Sequence, residues 1–490
     1  MVDAKRKILY YTAELTPLLS TGGLAEVASS LPRALKADGH DVRLIMPCYA
    51  SIPPEHRGEQ RCMVVADLGT HHAHGALRES RVPGTDIPLY LVEHEGYFGR
   101  PRPYGSDAYE YEDNAERFCF FSIAGLDGIR QTGWRPDVVH CHDWHTAPVP
   151  TYLRTMLDSD PFWGGMATVF TVHNLAFQGR YRAHRFASTG FPREYFSPEA
   201  FEYEGDMNLM KACVKFAHKL TTVSPRYAKE IQTLEYGEGL DGVLRTRAQD
   251  LRGILNGVDY TIWNPEIDPY TTATYSAEDL SGKEQCKAAL QASFGLPVKP
   301  DVPLFGIVSR LVWQKGIDLL VDAMEDLAGL GVQVAVLGTG TDDLEHRVWE
   351  ATQRFPEQVA VYYGYDIPRS HQLQAGCDFF LMPSRYEPCG LSQLYALRYG
   401  TIPIVRRTGG LADSVHDLNA VHRRKGTATG IVYVPNTPQS IVRSVRRAVD
   451  LYRDKDVLAA VMRAGMQADF SWGRSCELYA RCYAEAMRAA

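Results

Sequence analysis

The segment Pro383-Ser384-Arg385-Tyr386-Glu387-Pro388-Cys389-Gly390-Leu391-Ser392-Gln393 follows a short apolar run, Asp378-Phe379-Phe380-Leu381-Met382, and precedes a helical pattern over 391–398 closed by Gly400. The apolar run reads as a buried strand. Glu387 is therefore expected in a strand-to-helix loop, at the carboxyl edge where open parallel α/β sheets bind ligands. Pro388 removes a backbone donor and fixes one φ angle, and Gly390 lets the backbone come close to a ligand. Free N–H groups at a helix start, here over Gly390 to Ser392, suit an anion. The same residues also fit an ordinary surface loop capped by a polar side chain.

Outward from this segment the second half of the chain alternates regularly. Strand patterns fall at 304–309, 333–337, 359–363, 378–382 and 402–405, with helical patterns at 317–328, 342–354, 369–375 and 391–399. That alternation predicts a parallel, doubly wound sheet. Residues 440–490 read as helices. Residues 260–299, richer in Pro, Trp and polar side chains, open with an interdomain linker.

The first half carries a second set of strand patterns, at 7–13, 42–46, 137–141, 167–172, 219–223 and 251–255, with short strands expected over 60–100. A helix is expected over 24–37, where Leu24, Val27, Leu31 and Leu35 share one face and Pro32 should weaken or kink it. It opens at Gly22-Gly23, a turn that lets a phosphate approach helix amides but that is more often only a turn. Four strand ends carry Asp143, His173, Ser224 and Asn256, and Ser224-Pro225 is a good cap and first-turn pair. The run His140-Cys141-His142-Asp143-Trp144-His145 invites a metal reading, but consecutive strand residues point to opposite faces and cannot converge on one ion. His71, His72 and His74 read as a solvated loop. Tyr104 to Glu116, rich in Tyr, Asp and Glu, has a composition found at sugar sites and in ordinary loops alike.

With 490 residues, the chain is long enough for two domains. A net charge of −7 without a long basic block argues against nucleic acid and gives no membrane-surface signal. No apolar run is long enough to span a bilayer. The strand pattern begins by Ile8, which leaves no room for a signal peptide, and the 10 cysteines show no C-x-x-C pair. Reduced thiols in a cytoplasmic protein are expected.

Arg310 follows one strand of the second half, and Lys315-Gly316 opens the next helix. An arginine fork and a lysine point charge on one loop suit a diphosphate, though a solvated basic pair looks the same in sequence. Gly338-Thr339-Gly340 is a second glycine loop after a strand. The D-x-D triplets Asp158-Ser159-Asp160 and Asp454-Lys455-Asp456 follow no strand and read as solvated surface. No metal and no cofactor is expected. Cationic side chains and helix N-termini would carry the charge of a leaving diphosphate.

Ser20-Thr21-Gly22-Gly23-Leu24, His140 to His145, Thr171-Val172-His173-Asn174, Asn256-Gly257-Val258-Asp259, Ser309-Arg310-Leu311 with Gln314-Lys315-Gly316, the Glu387 to Gln393 segment, Thr408-Gly409-Gly410-Leu411 and Phe470-Ser471-Trp472 occur in this order. Together they resemble the signature blocks of the bacterial glycogen synthases and plant starch synthases over nearly the whole chain. The resemblance implies two Rossmann-like domains facing across a cleft (the GT-B arrangement), with domain closure to shield the donor from water. It implies an N-terminal domain over 1–259, a nucleotide-sugar domain over 260–468 and a last helix over 469–490 that returns to the first domain. The activity implied is transfer of glucose from ADP-glucose to the non-reducing 4-hydroxyl end of an α-1,4-glucan such as glycogen, with retention. Arg310 and Lys315 match the family's diphosphate pair and Glu387 its carboxylate near the transferred sugar. Asp143, His173 and Asn256 match its sugar-side residues, and Tyr365 an aromatic beside the donor base. Gly22, Gly23, Cys389, Gly390, Leu391 and Ser392 are expected to touch substrate. The family is thought to let the acceptor attack the face the diphosphate leaves, so that Glu387 positions and stabilises charge instead of acting as a nucleophile.

One position departs from the family. Its N-terminal block usually has a lysine aimed at the donor, and Ser20 stands there. Two alternatives follow: a transferase using UDP-glucose or a small acceptor, and a weakened, non-catalytic glucan-binding protein. A phosphorolytic enzyme would need lysine-linked pyridoxal phosphate, and a nicotinamide dehydrogenase a G-x-G-x-x-G after the first strand.

Overall fold

Strands with no polar face belong in the middle of a parallel sheet, covered on both sides. The computed structural model, which describes residues 5–106 and 109–490, places them there. Residues 1–4, and Asp107 and Ala108 of the Tyr104 to Glu116 stretch, lie outside the described residues.

The chain forms two compact units. The first comprises Met1–Gly257 with Trp472–Ala490, the second Val258–Ser471. Both divisions fall at one place, because Val258 and Ser471 pair as a parallel bridge and the Val258 N–H donates to the Phe470 carbonyl.

In the first unit the strands are β1 (Lys7–Tyr11), β2 (Asp41–Pro47), β3 (Glu59–Asp67), β4 (His72–Arg81), β5 (Pro88–Glu93), β6 (Val138–His142) and β7 (Ala167–Val172). Three short strands follow, β8 (Arg180–Tyr181), β9 (Glu202–Tyr203) and β10 (Asp206–Asn208), and then β11 (Lys219–Thr222) and β12 (Leu251–Gly253). The main sheet runs β12-β11-β7-β6-β1-β2-β5-β4-β3, and β8 to β10 form a separate small sheet. Every pairing from β12 to β5 is parallel, while β5, β4 and β3 pair antiparallel. The strand order reverses between β1 and β6, so the ends of those two strands open a crevice at the carboxyl edge.

Three sequence expectations change here. The short strands expected over 60–100 include a long hairpin, β3 with β4, whose outer positions alternate between exposed and buried. His72 and His74 lie on the exposed face of β4, not in a loop; only His71 sits in the turn, 3.4 Å from the Tyr97 hydroxyl. Pro32 leaves the helix Gly23–Ala37 in one piece. It lies on the buried side with Leu24, Val27, Leu31 and Leu35.

The second unit holds β13 (Leu304–Val308), β14 (Gln333–Gly338), β15 (Val359–Tyr363), β16 (Phe379–Met382), β17 (Ile402–Arg406) and β18 (Ile431–Tyr433). Their order is β15-β14-β13-β16-β17-β18, with every pairing parallel. This is a doubly wound sheet whose order reverses between β13 and β16. The helix expected over 317–328 is two pieces, Ile317–Asp322 and Met324–Gly329. Among the described residues no helix is long and apolar enough to cross a membrane.

The last helix, Trp472–Ala489, returns to the first unit and covers the face of β6, β7 and β11. Tyr479 and Tyr483 are fully buried there, and the Tyr483 hydroxyl lies 2.9 Å from His140 Nδ1. The Ser475 hydroxyl donates to the Leu255 carbonyl at 2.6 Å, and Arg252 pairs with Glu485 at 2.8 Å. Gly257 has no room for a side chain, since a Cβ would lie 2.7 Å from Trp472. Removing the Tyr483 hydroxyl leaves a buried ring nitrogen without its partner. Tyr483→Phe is expected to cost about 1–2 kcal/mol, read as a lower urea midpoint. An unchanged midpoint would show that the helix docks without that bond.

Candidate active site

Each unit presents a cluster at its strand-order reversal. In the second unit, β13 leads into Arg310 to Gly316, and β16 leads into Pro383 to Gly390. Glu387 is only 6% exposed. Its Oε2 lies 2.6 Å from Lys315 Nζ and accepts a hydrogen bond from the Ser384 hydroxyl at 3.0 Å. A carboxylate in so sheltered a position needs such partners. Lys315 is thus an ion-pair partner of Glu387, not a solvated base. Arg310 is exposed, with a 3.4 Å contact to the Gln314 side chain, and remains free to turn towards an anion.

The two loops are tied together by backbone. The Arg385 N–H donates to the Gln314 carbonyl at 2.8 Å, and the Gln314 amide reaches the Tyr386 carbonyl at 3.4 Å. The Arg385 guanidinium grips both oxygens of Asp318, at 2.7 and 2.6 Å, and lies 4.4 Å over the Trp313 ring. Glycines then let the neighbouring turns touch. A Cβ on Gly316 would lie 2.1 Å from the Pro383 carbonyl oxygen. One on Gly409 would lie 2.0 Å from that of Glu387, and one on Gly410 2.1 Å from that of Cys389. Gly316 and Gly409 also hold positive φ angles, 68° and 41°. Gln393 braces the far end of the loop by donating to the carbonyls of Cys389, at 3.0 Å, and Gly390, at 2.8 Å. Leu391 precedes the helix Ser392–Arg398, whose first amides have no partner within the helix. Tyr365 follows β15 and is 77% exposed.

In the first unit, β6 leads into Asp143 and β7 into His173. Asp143 adopts φ 57° and ψ 176°, a conformation costly for a residue with a side chain. Its carboxylate accepts the His173 N–H at 2.7 Å, so the two strand ends are locked together. Burial pushes the Asp143 carboxyl up to about 7, opposed by the N–H groups of His173 and Asn174. Behind them lies a row of buried rings. His142 Nδ1 and His173 Nε2 are 2.9 Å apart, and the His142 ring stacks on Tyr10 at 4.0 Å. His140 reaches Tyr483 with one nitrogen and Thr171 with the other, at 2.9 and 2.7 Å. Burial keeps these imidazoles neutral: His173 and His145 are pushed down to about 3, and His140 and His142 well below the usual range.

The remaining sequence candidates fall around the same edge. Asn256 is 5% exposed, and its Oδ1 is buried without a partner among the described residues. Ser224 is fully buried and caps a helix, accepting the Tyr227 N–H at 3.1 Å. Gly22 precedes the helix start at Gly23, with nothing within 4 Å of a Cβ placed there, and Ser20 is exposed on the same loop.

Glu14 had no place in the sequence argument, yet it organises this loop. It is 3% exposed and takes the Thr21 N–H at 2.7 Å, the Thr21 hydroxyl at 2.6 Å and the Tyr104 hydroxyl at 2.8 Å. The available signal was an acidic residue directly after a buried strand. The D-x-D triplets serve the backbone: Asp160 accepts the N–H groups of Phe162 and Trp163, and Asp454 caps the helix Lys455–Gln467.

Residues 7–246 match the starch synthase catalytic domain, and residues 291–460 match the glycosyl transferases group 1 family. The chain is 44% identical to glycogen synthase 1 of Geobacter sulfurreducens over 98% of its own length and 96% of that protein. It is also 44% identical to glycogen synthase 1 of Methylococcus capsulatus, over 98% and 97%. The solved catalytic domain of starch synthase IV from Arabidopsis thaliana, bound to ADP and acarbose, superposes with a TM-score of 0.91 at 32% identity, covering 99% of this chain and 100% of that one. A sucrose-phosphate synthase from Thermosynechococcus elongatus, 16% identical with a TM-score of 0.60, shares the fold. Fold and sites thus define a two-domain α/β glycosyltransferase of the GT-B type. Within that class, the chain belongs to the glycogen and starch synthase family.

Two outcomes follow from the geometry. The Lys315–Glu387 pair is expected to show a coupling of about 2 kcal/mol in a double-mutant cycle of Lys315→Met and Glu387→Gln, measured by urea unfolding. Additive losses would mean the pair is not formed in solution. The second outcome concerns acid. Unfolded imidazoles take up protons near pH 6.5, whereas His140, His142, His145 and His173 in the fold do not, so stability falls as pH drops below about 6.5. Asp143 has the opposite sign, losing stability as pH rises from about 4 to about 7, but it is one group against several. The urea midpoint should therefore be clearly lower at pH 5 than at pH 7.5; equal midpoints would contradict neutral buried rings.

Proposed function

We propose that the chain is a glycogen synthase that transfers glucose from ADP-glucose to the non-reducing 4-hydroxyl end of an α-1,4-glucan, with retention at the anomeric carbon. The observation that carries this reading is the Lys315–Glu387 ion pair beside the exposed Arg310, on loops tied together at the reversal point of the second sheet. Arg310 supplies a planar fork and Lys315 a point charge, which together hold a diphosphate and take up the charge it gains on leaving. Gly390, Leu391 and Ser392 add N–H groups at a helix start, and Cys389 beside them touches substrate. Tyr365 offers a face to the base.

Glu387 positions and stabilises, and is not the nucleophile. A carboxylate held by an ammonium at 2.6 Å and a hydroxyl at 3.0 Å has its charge already engaged. Asp143, His173 and Asn256 bind sugar hydroxyls in this reading. The unpartnered Asn256 Oδ1 is an acceptor for one of them. Gly22, Gly23 and Ser20 line the donor side of the first unit. The ten cysteines, none in a disulfide and nearly all buried, suit a cytoplasmic enzyme.

A second reading rests on Ser20, which is exposed and uncharged where the family carries a lysine. One donor contact is then missing, and UDP-glucose becomes an alternative donor. Nucleoside diphosphate release from ADP-glucose and UDP-glucose, with and without glycogen, separates the two. Glycogen-dependent release from ADP-glucose is expected, with kcat falling about 10²–10³-fold in Glu387→Gln. Release from UDP-glucose alone would reassign the donor. Glycogen binding without release from either would leave a non-catalytic binding protein.

A further inference from the structure

The mechanism above uses His173 but not the ring behind it. His142 is fully buried at the end of β6, and its Nδ1 lies 2.9 Å from His173 Nε2. Two neutral imidazoles share one hydrogen bond only if one donates and the other accepts. The direction follows from the remaining nitrogen of His142. Its Nε2 is buried and has no partner among the described residues. If His142 accepted from His173, that Nε2 would carry the proton, leaving a buried N–H with no acceptor. If His142 donates from Nδ1, Nε2 keeps only a bare lone pair. Orphaned buried donors are rarer than under-used acceptors. The Tyr10 hydroxyl, 3.5 Å from the same Nδ1, is too distant to reverse the choice.

We infer that His142 is a positioning residue that donates from Nδ1 to His173 Nε2 and thereby fixes His173 as its Nδ1–H tautomer. The hydrogen bond at one ring nitrogen decides where the proton sits on the other. His173 therefore presents an N–H donor, not a lone pair, from the nitrogen with no partner among the described residues. Its backbone is already held by Asp143 at 2.7 Å, and the His142 ring is held flat against Tyr10. Donor direction and ring angle are thus both set before substrate arrives. Burial supports this by keeping both rings neutral. The role assigned to the N–H, donation to a sugar oxygen, rests on the reading of the chain as a synthase; the tautomer does not.

Nitrogen NMR on the full-length chain labelled at histidine tests the tautomer without turnover. His173→Gln identifies the resonances by their loss. A protonated Nδ1 and unprotonated Nε2 in His173 are expected, and the reverse pattern would overturn the assignment. Two variants test the positioning role. Asparagine places its amide nitrogen near the site of Nδ1, whereas phenylalanine keeps the ring against Tyr10 without a donor. With thermal unfolding confirming that both variants fold, His142→Phe is expected to lower kcat/KM for ADP-glucose about tenfold, the worth of one hydrogen bond. His142→Asn should recover most of that loss. Equal activity in the two variants would reduce His142 to a packing residue. A wild-type chain inactive with every donor, yet carrying the Nδ1–H tautomer, would overturn the synthase reading and leave the tautomer assignment standing.

Discussion

Backbone lies directly against backbone around Glu387, and the second unit's site depends on that closeness. The carbonyls of Pro383, Glu387 and Cys389 each face a glycine that has no space for a methyl group. Side chains relax by changing rotamer, but packed backbone does not, so the loop has one arrangement. That arrangement brings a carboxylate to an ammonium across 72 residues of chain. The ion pair alone would be a weak determinant, since desolvation offsets much of its Coulomb energy. It forms because the glycine turns have already fixed both loops.

The first unit reaches the same end by different means. There side chains bind backbone: Asp143 joins two strand ends through the His173 N–H, and Glu14 closes its own loop through the Thr21 N–H. These acids are sheltered from water, and each holds a loop by accepting N–H groups. The strained backbone at Asp143 is tolerated because the carboxylate is tied down on the far strand. Both units thus keep their polar groups at the point where strand order reverses, the one edge of a parallel sheet that no crossover covers.

The parallel sheets were readable from sequence wherever strands are buried on both faces. β7, β14 and β16 are buried along their whole length; β16 is an unbroken apolar run, and β7 and β14 are apolar but for Thr168, Thr171 and Gln333. The β3–β4 hairpin was not, because half its residues face water and its alternation is broken by a register shift at Gln60 and Cys62. Among site residues, Glu387, Lys315, Asp143 and His173 were legible as types at strand ends. Their partnerships were not, because contact across dozens of residues leaves no local spacing to read. Alternation argues against a metal cage in the His140 to His145 run. It also meant that His140 and His142, two apart, share a face, and their rings lie 4.1 Å apart there. Glu14 escaped notice because buried acids are rare and its partners, Thr21 and Tyr104, sit in irregular loops.

The position of the Trp472–Ala489 helix has a consequence for how the protein is made. The first unit's sheet is complete by Gly253, but the face of β6 and β7 that holds His140 packs against the helix Trp472–Ala489. All of Val258–Ser471 is synthesised in between. At ordinary ribosome speeds that interval lasts roughly ten to forty seconds. Throughout it the face that packs on Tyr479 and Tyr483 lacks its cover, and His140 lacks its Tyr483 partner. The second unit, continuous in sequence, can finish folding first. The half of the molecule that is translated first is therefore the half that is completed last.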